Sequence, residues 1–331
     1  MTVWRNIQKT NIRSFSELVS LLQLSEKSQS LLDPQPHFVL NLPRRLALKI
    51  AKDDPTDPLF RQFVPLMEEK HTKAGFVADP VSDLLFTKNR HLLQKYASRA
   101  LLLTTGACAM NCRFCFRQNY PYDTAEKDFS QDIAHIKADT SIEEIILSGG
   151  DPLSLSDNTL NDLLQALDPI AHVKRIRFHS RFPIGIPERI DDTHIDVLSR
   201  SSKQIWFALH TNHPNEFDSD VWAALRRLQK CGITLISQSV LLRGVNDDIV
   251  TLETLCRELV NHGVLPYYLH QLDKVSGAGH FEVPIERGKE LIDALRTRLS
   301  GYAVPKYVQE IAGMPSKTAL TSEKLSSIPK E

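Results

Sequence analysis

Short apolar runs alternate with amphipathic stretches along the chain from residue 99 onward. Apolar runs of this length, each followed by apolar residues at helical spacing, predict strands that alternate with helices. The predicted strands are 100–105, 143–148, 174–180, 204–210, 233–242 and 266–272. This alternation predicts an α/β fold in which helices cover a parallel sheet. Six strand–helix units fit either an open doubly wound sheet or a partial barrel.

The first hundred residues follow a different pattern. Apolar residues recur at helical spacing in "SFSELVSLLQLS" and "RRLALKIA", whereas "KDDPTDPLF" and "VADPVSDLLF" contain Asp-Pro steps that interrupt regular structure. We therefore expect a mostly helical N-terminal extension at 1–98, the repeated strand–helix units at 99–300, and a short C-terminal segment at 301–331.

The composition is that of an ordinary globular protein, with 42% hydrophobic and 24% charged residues. Lys and Arg together number 40, as do Asp and Glu, so the formal net charge is zero. A chain without net positive charge has no overall attraction for nucleic acid. The N-terminus lacks the apolar core of a signal peptide, and no apolar run approaches the roughly 20 residues of a membrane helix. We therefore expect a cytoplasmic protein whose thiols stay reduced.

Three of the five cysteines lie close together in "ACAMNCRFCFRQN", directly after the first predicted strand. Cys108, Cys112 and Cys115 have the spacing Cys-x3-Cys-x2-Cys, and reduced thiols in such a cluster indicate metal binding or catalysis. A structural zinc site needs a fourth ligand, and the following "FRQNYPYD" offers neither Cys nor His. Three thiolates suit a four-iron cluster with one open iron, while a zinc or redox-sensor loop remains the alternative.

Polar segments follow every predicted strand. They are "SGGDPL", "HSRFP", "HTNHPNE", "SQSVLLRGVND" and "LHQLDKVSG", in addition to the cysteine loop. Because the carboxyl ends of parallel strands meet at one edge of a sheet, these segments predict an active site at that edge.

The cysteine motif, with an aromatic residue before the third cysteine, resembles the signature of radical S-adenosylmethionine enzymes. The segment "SGGDP" resembles the family's Gly-Gly-Glu/Asp segment, which meets the methionyl amine of S-adenosylmethionine. This resemblance implies a partial (β/α)6 barrel and a 4Fe-4S cluster on the three cysteines. It also implies that Gly149, Gly150, Asp151, His210 and Gln238 bind S-adenosylmethionine, which the reduced cluster cleaves to a 5′-deoxyadenosyl radical.

Further segments resemble the lysine 2,3-aminomutases within that superfamily. They are "DPTDPLFRQFVP", "DPVSDLL", "HTNHPNE", "QSVLLRGVND", "PYYLHQLD" and "SGYAVPKYV". These enzymes move the α-amino group of lysine to the β-carbon with the help of pyridoxal 5′-phosphate. The resemblance implies that Lys317, in "EIAGMPSKTAL", forms the internal aldimine with this cofactor and that Arg99 binds its phosphate.

The same resemblance implies the residues that bind the substrate. Arg117 matches the arginine that holds the lysine carboxylate, and a planar guanidinium suits this contact. Asp273 and Glu310 match the two acids that hold the distal ammonium, although the family has aspartate where this chain has Glu310. His270 and His280 remain unassigned polar residues near the same edge.

The chain ends fourteen residues after Lys317, and no cysteine follows Cys256. This short form resembles the aminomutase that makes (R)-β-lysine for the modification of translation elongation factor P by a lysyl-tRNA-synthetase-like ligase. The resemblance also implies a cellular reductant such as flavodoxin or ferredoxin. The alternatives are a catabolic lysine 2,3-aminomutase, an aminomutase acting on glutamate, and a non-catalytic iron–sulfur or zinc sensor. The sequence leaves open whether the chain forms a homo-oligomer.

Overall fold

Nine strands form one sheet, and their order in the sheet follows their order in the chain. The computed structural model describes residues 2–122 and 127–321. Its strands are β1 (Leu92–Tyr96), β2 (Arg99–Leu103), β3 (Glu144–Ser148), β4 (Arg175–Ser180), β5 (Gln204–His210), β6 (Thr234–Val240), β7 (Leu265–His270), β8 (Lys306–Gln309) and β9 (Thr318–Ala319). Strands β2 to β8 are parallel, while β1 and β9 pair antiparallel at the two edges.

The six predicted strands coincide with β2 to β7, and the α/β fold is confirmed. The strand order never reverses, as it would in a doubly wound sheet, so the partial barrel is the correct alternative. The sheet is curved, since residues from seven successive strands face one cavity. These residues are Leu93, Leu101, Ile146, Arg177, Trp206, Ile236 and Tyr268. The sequence did not predict β1, β8 or β9, and because β8 is parallel to β7 the parallel part of the sheet has seven strands rather than six.

The described helices cover the outside of the sheet and build the N-terminal extension. They are α1 (Val3–Lys9), α2 (Phe15–Leu22), α3 (Glu26–Gln29), α4 (Arg44–Ala47), α5 (Pro58–Phe63), α6 (Ser130–Ala138), α7 (Asp157–Leu167), α8 (Phe182–Gly185), α9 (Asp192–Ser199), α10 (Ser219–Lys230), α11 (Ile249–Asn261) and α12 (Ile285–Arg296). Short 3-10 helices are Met67–Lys70, Asp83–Phe86, Pro152–Ser154, Pro187–Arg189, Pro214–Glu216, Gly279–Phe281 and Gly301–Ala303. Within 2–122 and 127–321, no helix combines the length and apolarity needed to cross a membrane.

Helix α10 shows how the sequence produces these covering helices. The Asp218 side chain caps the helix by accepting hydrogen bonds from two backbone N–H groups of the first turn. Val221, Ala224, Leu225 and Leu228 then recur at helical spacing, and all four are buried against the sheet. The same pattern of cap and apolar stripe holds α7 and α11 in place.

The N-terminal extension and the barrel share one apolar core, which runs from Trp4 to Val264. The expected boundary at residue 98 falls in the hairpin between β1 and β2. The C-terminal segment contributes β8 and β9 to the same sheet, and its residues 322–331 lie outside the described part of the chain. The division into three segments stays a prediction, while the shared core places N-terminal residues beside the barrel.

Candidate active site

A cavity of about 720 Å³ lies inside the curved sheet. Every residue assigned to a site from the sequence lines it: Arg99, Cys108, Cys112, Cys115, Arg117, Gly149, Gly150, Asp151, His210, Gln238, Asp273, Glu310 and Lys317. These residues come from positions up to 218 apart in the chain, so only the fold brings them together. Their individual roles are taken up below as proposals.

The cysteine loop forms one end of the cavity, after β2. All three thiols are free, and burial raises the pKa of each, that of Cys115 to about 11. In the described residues, no three His, Cys, Asp or Glu side chains converge in the way that a single bound ion requires. A four-iron cluster takes each thiolate on a different iron, so its ligands need not converge on one point. The donor set of Cys108, Cys112 and Cys115 therefore fits a cluster with one open iron.

The two glycines of "SGGDP" bring the loop after β3 against the cysteine loop. Gly149 has a φ of +128°, a backbone angle that residues with a side chain rarely adopt. A Cβ at this position would lie 2.3 Å from the carbonyl oxygen of Thr105. A Cβ at Gly150 would lie 2.3 Å from the carbonyl oxygen of Ala107. The Gly150 N–H instead donates to the Thr105 oxygen at 2.6 Å. The glycines thus allow two loops of the cavity wall to pack backbone to backbone.

Asp151 has a buried carboxylate whose oxygens accept hydrogen bonds from several groups of the protein. It accepts hydrogen bonds from the Ser180 hydroxyl at 2.9 Å and from the backbone N–H groups of Leu153, Arg181 and Phe182 at 3.0, 2.8 and 3.1 Å. Burial raises the pKa of Asp151 to about 6, although each of these donors favours the ionised form. The carboxylate therefore ties the loop after β3 to the loop after β4.

Three histidines face the cavity with an imidazole Nε2 that is buried and has no hydrogen-bond partner in the described structure. They are His179, His210 and His270. Burial lowers the pKa of all three, that of His210 to about 3, so the imidazoles are neutral. His210 pairs in register with Gln238 on the adjacent strand, so these two predicted cofactor contacts are neighbours. His179 was missed, and the alternation in "RIRFHS" was the signal that could have revealed it.

Lys317 and Glu310, both from the C-terminal segment, form an ion pair in the cavity lining. The Lys317 Nζ lies 2.7 Å from Glu310 Oε2, and the Tyr96 hydroxyl donates to Glu310 Oε1 at 2.6 Å. Burial opposes ionisation of Glu310, but Lys317, the Tyr96 hydrogen bond and the charge of Lys95 together lower the pKa of the carboxyl. Burial raises the pKa of the nearby Asp273 to about 7, and its carboxylate has no hydrogen-bond partner in the described structure.

Arg117 is held by a buried acid that the sequence analysis did not assign. Asp83 accepts a hydrogen bond from Arg117 Nε at 2.7 Å and pairs with Lys95 Nζ at 2.7 Å. Although burial opposes it, the two cations lower the pKa of Asp83. Arg117 Nη1 donates to the Ser148 hydroxyl at 3.2 Å, which leaves Nη2 without a partner in the described residues. The "DPVSDLL" segment therefore supplies a residue that orients Arg117.

Arg99 lies at the start of β2, at the opposite end of the strands from the cysteine loop. Its guanidinium lies 4.4 Å from the centre of the Tyr96 ring, and no acid among the described residues pairs with it. The cavity therefore extends along the strands, and this assigned residue lies away from the predicted edge. His280 lies outside the cavity lining, 3.8 Å from Glu68.

Comparison with known proteins bears on the family of the chain. The family model described as "Radical SAM superfamily" matches residues 102–256. An L-lysine 2,3-aminomutase from Escherichia coli (strain K12) is 42% identical over 309 residues, which cover 92% of this chain and 90% of that protein. An L-lysine 2,3-aminomutase from Haemophilus influenzae is 40% identical over 319 residues, which cover 95% of this chain and 94% of that protein. Another from Clostridium subterminale is 33% identical over 324 residues, which cover 95% of this chain and 77% of that protein. The chain belongs to the L-lysine 2,3-aminomutase family of the radical SAM superfamily.

Proposed function

We propose that the protein converts L-lysine to (R)-β-lysine by a 1,2-amino shift that depends on pyridoxal 5′-phosphate and a 5′-deoxyadenosyl radical. One observation carries the proposal: a single cavity contains three thiols, a lysine, and charged groups that match both ends of the substrate. The relatives named L-lysine 2,3-aminomutase support the same reaction.

The cavity residues divide among the cofactors as follows. Cys108, Cys112 and Cys115 would hold the 4Fe-4S cluster, and Gly149, Gly150, Asp151, His210 and Gln238 would form the S-adenosylmethionine site. Lys317 would hold pyridoxal phosphate, with Arg99 at its phosphate. When bound, these cofactors supply the radical that abstracts a hydrogen and the carbonyl carbon that carries the migrating nitrogen.

Within this set, Asp151 acts through other residues. Its carboxylate oxygens are occupied by four donors of the protein, so it fixes the shape of the S-adenosylmethionine site rather than offering a free acceptor. His210, by contrast, presents a neutral imidazole whose Nε2 has no partner in the described structure. A ligand with a hydrogen-bond donor or acceptor at that point would satisfy it.

The structure contains an internal example of how the distal ammonium of lysine would be held. The side chain of Lys317 is itself an alkylammonium, and it lies against the Glu310 carboxylate at 2.7 Å. The Tyr96 hydroxyl orients that carboxylate from its other oxygen. With Asp273 alongside, the pocket offers two acids to the substrate ammonium. A substrate with a distal carboxylate, such as glutamate, would instead meet two like charges.

Arg117 would hold the substrate carboxylate. Asp83 fixes its Nε and Ser148 its Nη1, so the guanidinium has one orientation, and Nη2 has no partner among the residues that the structure describes. A guanidinium held in this way contributes a charge-assisted hydrogen bond without first losing side-chain entropy. Acids and cation at opposite ends of the substrate would fix its α- and β-carbons relative to the reacting groups.

The test is anaerobic reconstitution with iron and sulfide, followed by incubation with S-adenosylmethionine, pyridoxal phosphate and a low-potential reductant. L-Lysine should give β-lysine, whereas L-glutamate should give no β-amino acid. Omission of S-adenosylmethionine, pyridoxal phosphate or reductant should each abolish the product. A protein that binds iron but shows neither lysine-dependent cleavage of S-adenosylmethionine nor covalent retention of pyridoxal phosphate would be a sensor, and the proposal would fail.

We further propose that the β-lysine is made in the cytoplasm and is attached to translation elongation factor P by a separate lysyl-tRNA-synthetase-like ligase, with flavodoxin or ferredoxin as the electron donor. The resemblance of the chain to that aminomutase supports this assignment. Mass spectrometry of the elongation factor tests it. The factor should gain the mass of one lysyl group in cells that carry the active chain, and cells that carry only Lys317→Ala should lose this addition.

A further inference from the structure

Arg181 follows β4 and is buried beside the cysteine loop, where no sequence-based assignment gives it a role. It is 5% exposed, and its guanidinium carbon lies 4.9 Å from the ring centre of Phe63 and 5.4 Å from that of Phe114. Its Nη1 lies 3.3 Å from the Sγ of Cys112 with the geometry of a hydrogen bond. A buried cation therefore contacts one of the three cavity thiols directly.

A buried acid balances this cation. Arg181 Nη2 donates to Glu216 Oε1 at 2.8 Å and to Gln62 Oε1 at 2.7 Å. Glu216 is fully buried, and the same Oε1 accepts the backbone N–H groups of Asn212 and His213 at 2.9 and 3.1 Å. The acid therefore cannot turn towards solvent, and it holds the guanidinium in the orientation that reaches the sulfur.

The backbone of Arg181 is fixed from the opposite side. Its N–H donates to Asp151 Oδ2 at 2.8 Å, and the Ser180 hydroxyl beside it donates to the same carboxylate. The side chain and the backbone are thus held by different parts of the fold. Because water is excluded and the groups are held, charges at this place act at low effective dielectric.

We infer that Arg181 and Glu216 form a buried charge pair that sets the reduction potential of the cluster bound at Cys112, with Arg181 raising the potential and Glu216 lowering it. Reduction by an external one-electron donor adds one electron, and therefore one negative charge, to the cluster. A nearby cation and a hydrogen bond to a ligand sulfur stabilise the more negative form, whereas a nearby anion destabilises it. The inference rests on the proposed function, because it takes Cys112 as a cluster ligand.

A merely structural role for the pair predicts a different outcome. If Arg181 only neutralised Glu216 and supported the fold, the loss of either residue would lower stability and leave the potential of the retained cluster unchanged. A role in tuning the potential predicts shifts of opposite sign for the two losses. The sign of each shift therefore distinguishes the two roles, whatever happens to stability.

The experiment is a potentiometric titration of the reconstituted protein, followed by electron paramagnetic resonance of the reduced cluster. Arg181→Gln should lower the potential, and Glu216→Gln should raise it. Arg181→Lys keeps the charge but loses the planar contact with the sulfur, so its potential should lie between those of the wild type and Arg181→Gln. Arg189→Gln is the matched control, because Arg189 is fully buried and paired with Asp157 at 2.7 Å but lies outside the cavity lining. Its potential should equal that of the wild type.

Unchanged potentials in both Arg181→Gln and Glu216→Gln, or shifts in the same direction, would overturn the inference. If Arg181→Gln fails to fold, Arg181→Lys and Glu216→Gln decide, and the inference fails unless they shift the potential downward and upward respectively. Iron and sulfide content and the cluster absorption of the wild type are measured first. A wild type that retains no cluster contradicts the proposed function, whereas a loaded wild type with unaffected variants contradicts this inference alone.

Discussion

Replacing Asp273 by asparagine should weaken lysine binding much more at pH 8 than at pH 6. Burial raises the pKa of this carboxyl to about 7, and its oxygens have no hydrogen-bond partner in the described structure. The substrate ammonium would pair with the ionised form. Because a carboxyl gains its charge as pH rises through its pKa, the contribution of Asp273 is present above pH 7 and is lost below it.

The expected change in the Kd for lysine follows from the pKa of Asp273 and from the free energy of one charged hydrogen bond. A hydrogen bond between charged groups contributes about 1.5–3 kcal/mol, so Asp273→Asn should raise the Kd for lysine roughly 10- to 100-fold at pH 8. With a pKa of about 7, about one carboxyl in ten is ionised at pH 6 and about nine in ten at pH 8. The ratio of the variant Kd to the wild-type Kd should therefore fall about tenfold between pH 8 and pH 6.

Isothermal titration calorimetry of the cofactor-loaded protein without reductant measures binding in the absence of turnover. Taking the ratio of the two Kd values at each pH cancels proton uptake by the substrate and by other groups. L-Norleucine, which lacks the distal ammonium, is the matched control ligand, and its Kd should be nearly the same in both proteins. A lysine Kd ratio that does not change between pH 6 and pH 8 would refute the assignment of Asp273.

The remaining predictions concern the cofactors and the cavity wall. Lys317→Ala should lose covalent retention of pyridoxal phosphate after borohydride reduction yet keep the cluster absorption, and Cys112→Ala should show the reverse. Gly150→Ala would place a Cβ 2.3 Å from the Ala107 oxygen and should cost about 1–3 kcal/mol of unfolding free energy in a denaturant titration, whereas Gly301→Ala, with nothing within 4 Å, should cost little. Glu310→Gln removes one of the two acids and should raise the Kd for lysine roughly tenfold; an unchanged Kd would place the ammonium elsewhere.

The strands that the sequence predicted are those with clear apolar runs. Strands β2 to β7 have five to seven residues each and are followed by helices, of which α7, α9, α10 and α11 have side-chain caps, so local pattern was sufficient to find them. Strand β8 has only four residues, begins with an exposed lysine, and depends on pairing with β7 and β9. Strand β8 forms because it pairs with its neighbours in the folded sheet, and the local sequence pattern gives no information about that pairing.

The parts of the candidate site that consist of short sequence motifs could be predicted from the sequence. The parts that depend on contacts between residues far apart in the chain could not. The cysteine spacing and the glycine pair identified two loops directly. The pairing of Asp83 with Arg117 joins residues 34 positions apart, and that of Arg181 with Glu216 joins residues 35 apart. Such partners become visible only after the N-terminal extension and the strand ends have been placed against the cavity.

The position of Asp151 shows a second limit of sequence reasoning. The motif places an acid after the glycines, where a contact with the methionyl amine is the natural interpretation. In the structure its two oxygens accept hydrogen bonds from four protein donors, so the carboxylate joins two loops of the cavity wall, and its contact with S-adenosylmethionine stays a prediction. Whether a polar side chain serves a ligand or the protein depends on which donors the fold brings to it, and the motif does not state this.

Chiral chromatography of the product formed from L-lysine by the anaerobically reconstituted protein tests the central claim most directly. With S-adenosylmethionine, pyridoxal phosphate and reductant present, the account predicts (R)-β-lysine, and no product from the Lys317→Ala variant. The absence of β-lysine from a preparation that retains both the cluster and pyridoxal phosphate would contradict the proposed reaction. Formation of the (S) enantiomer would contradict its stereochemistry and the link to elongation factor P.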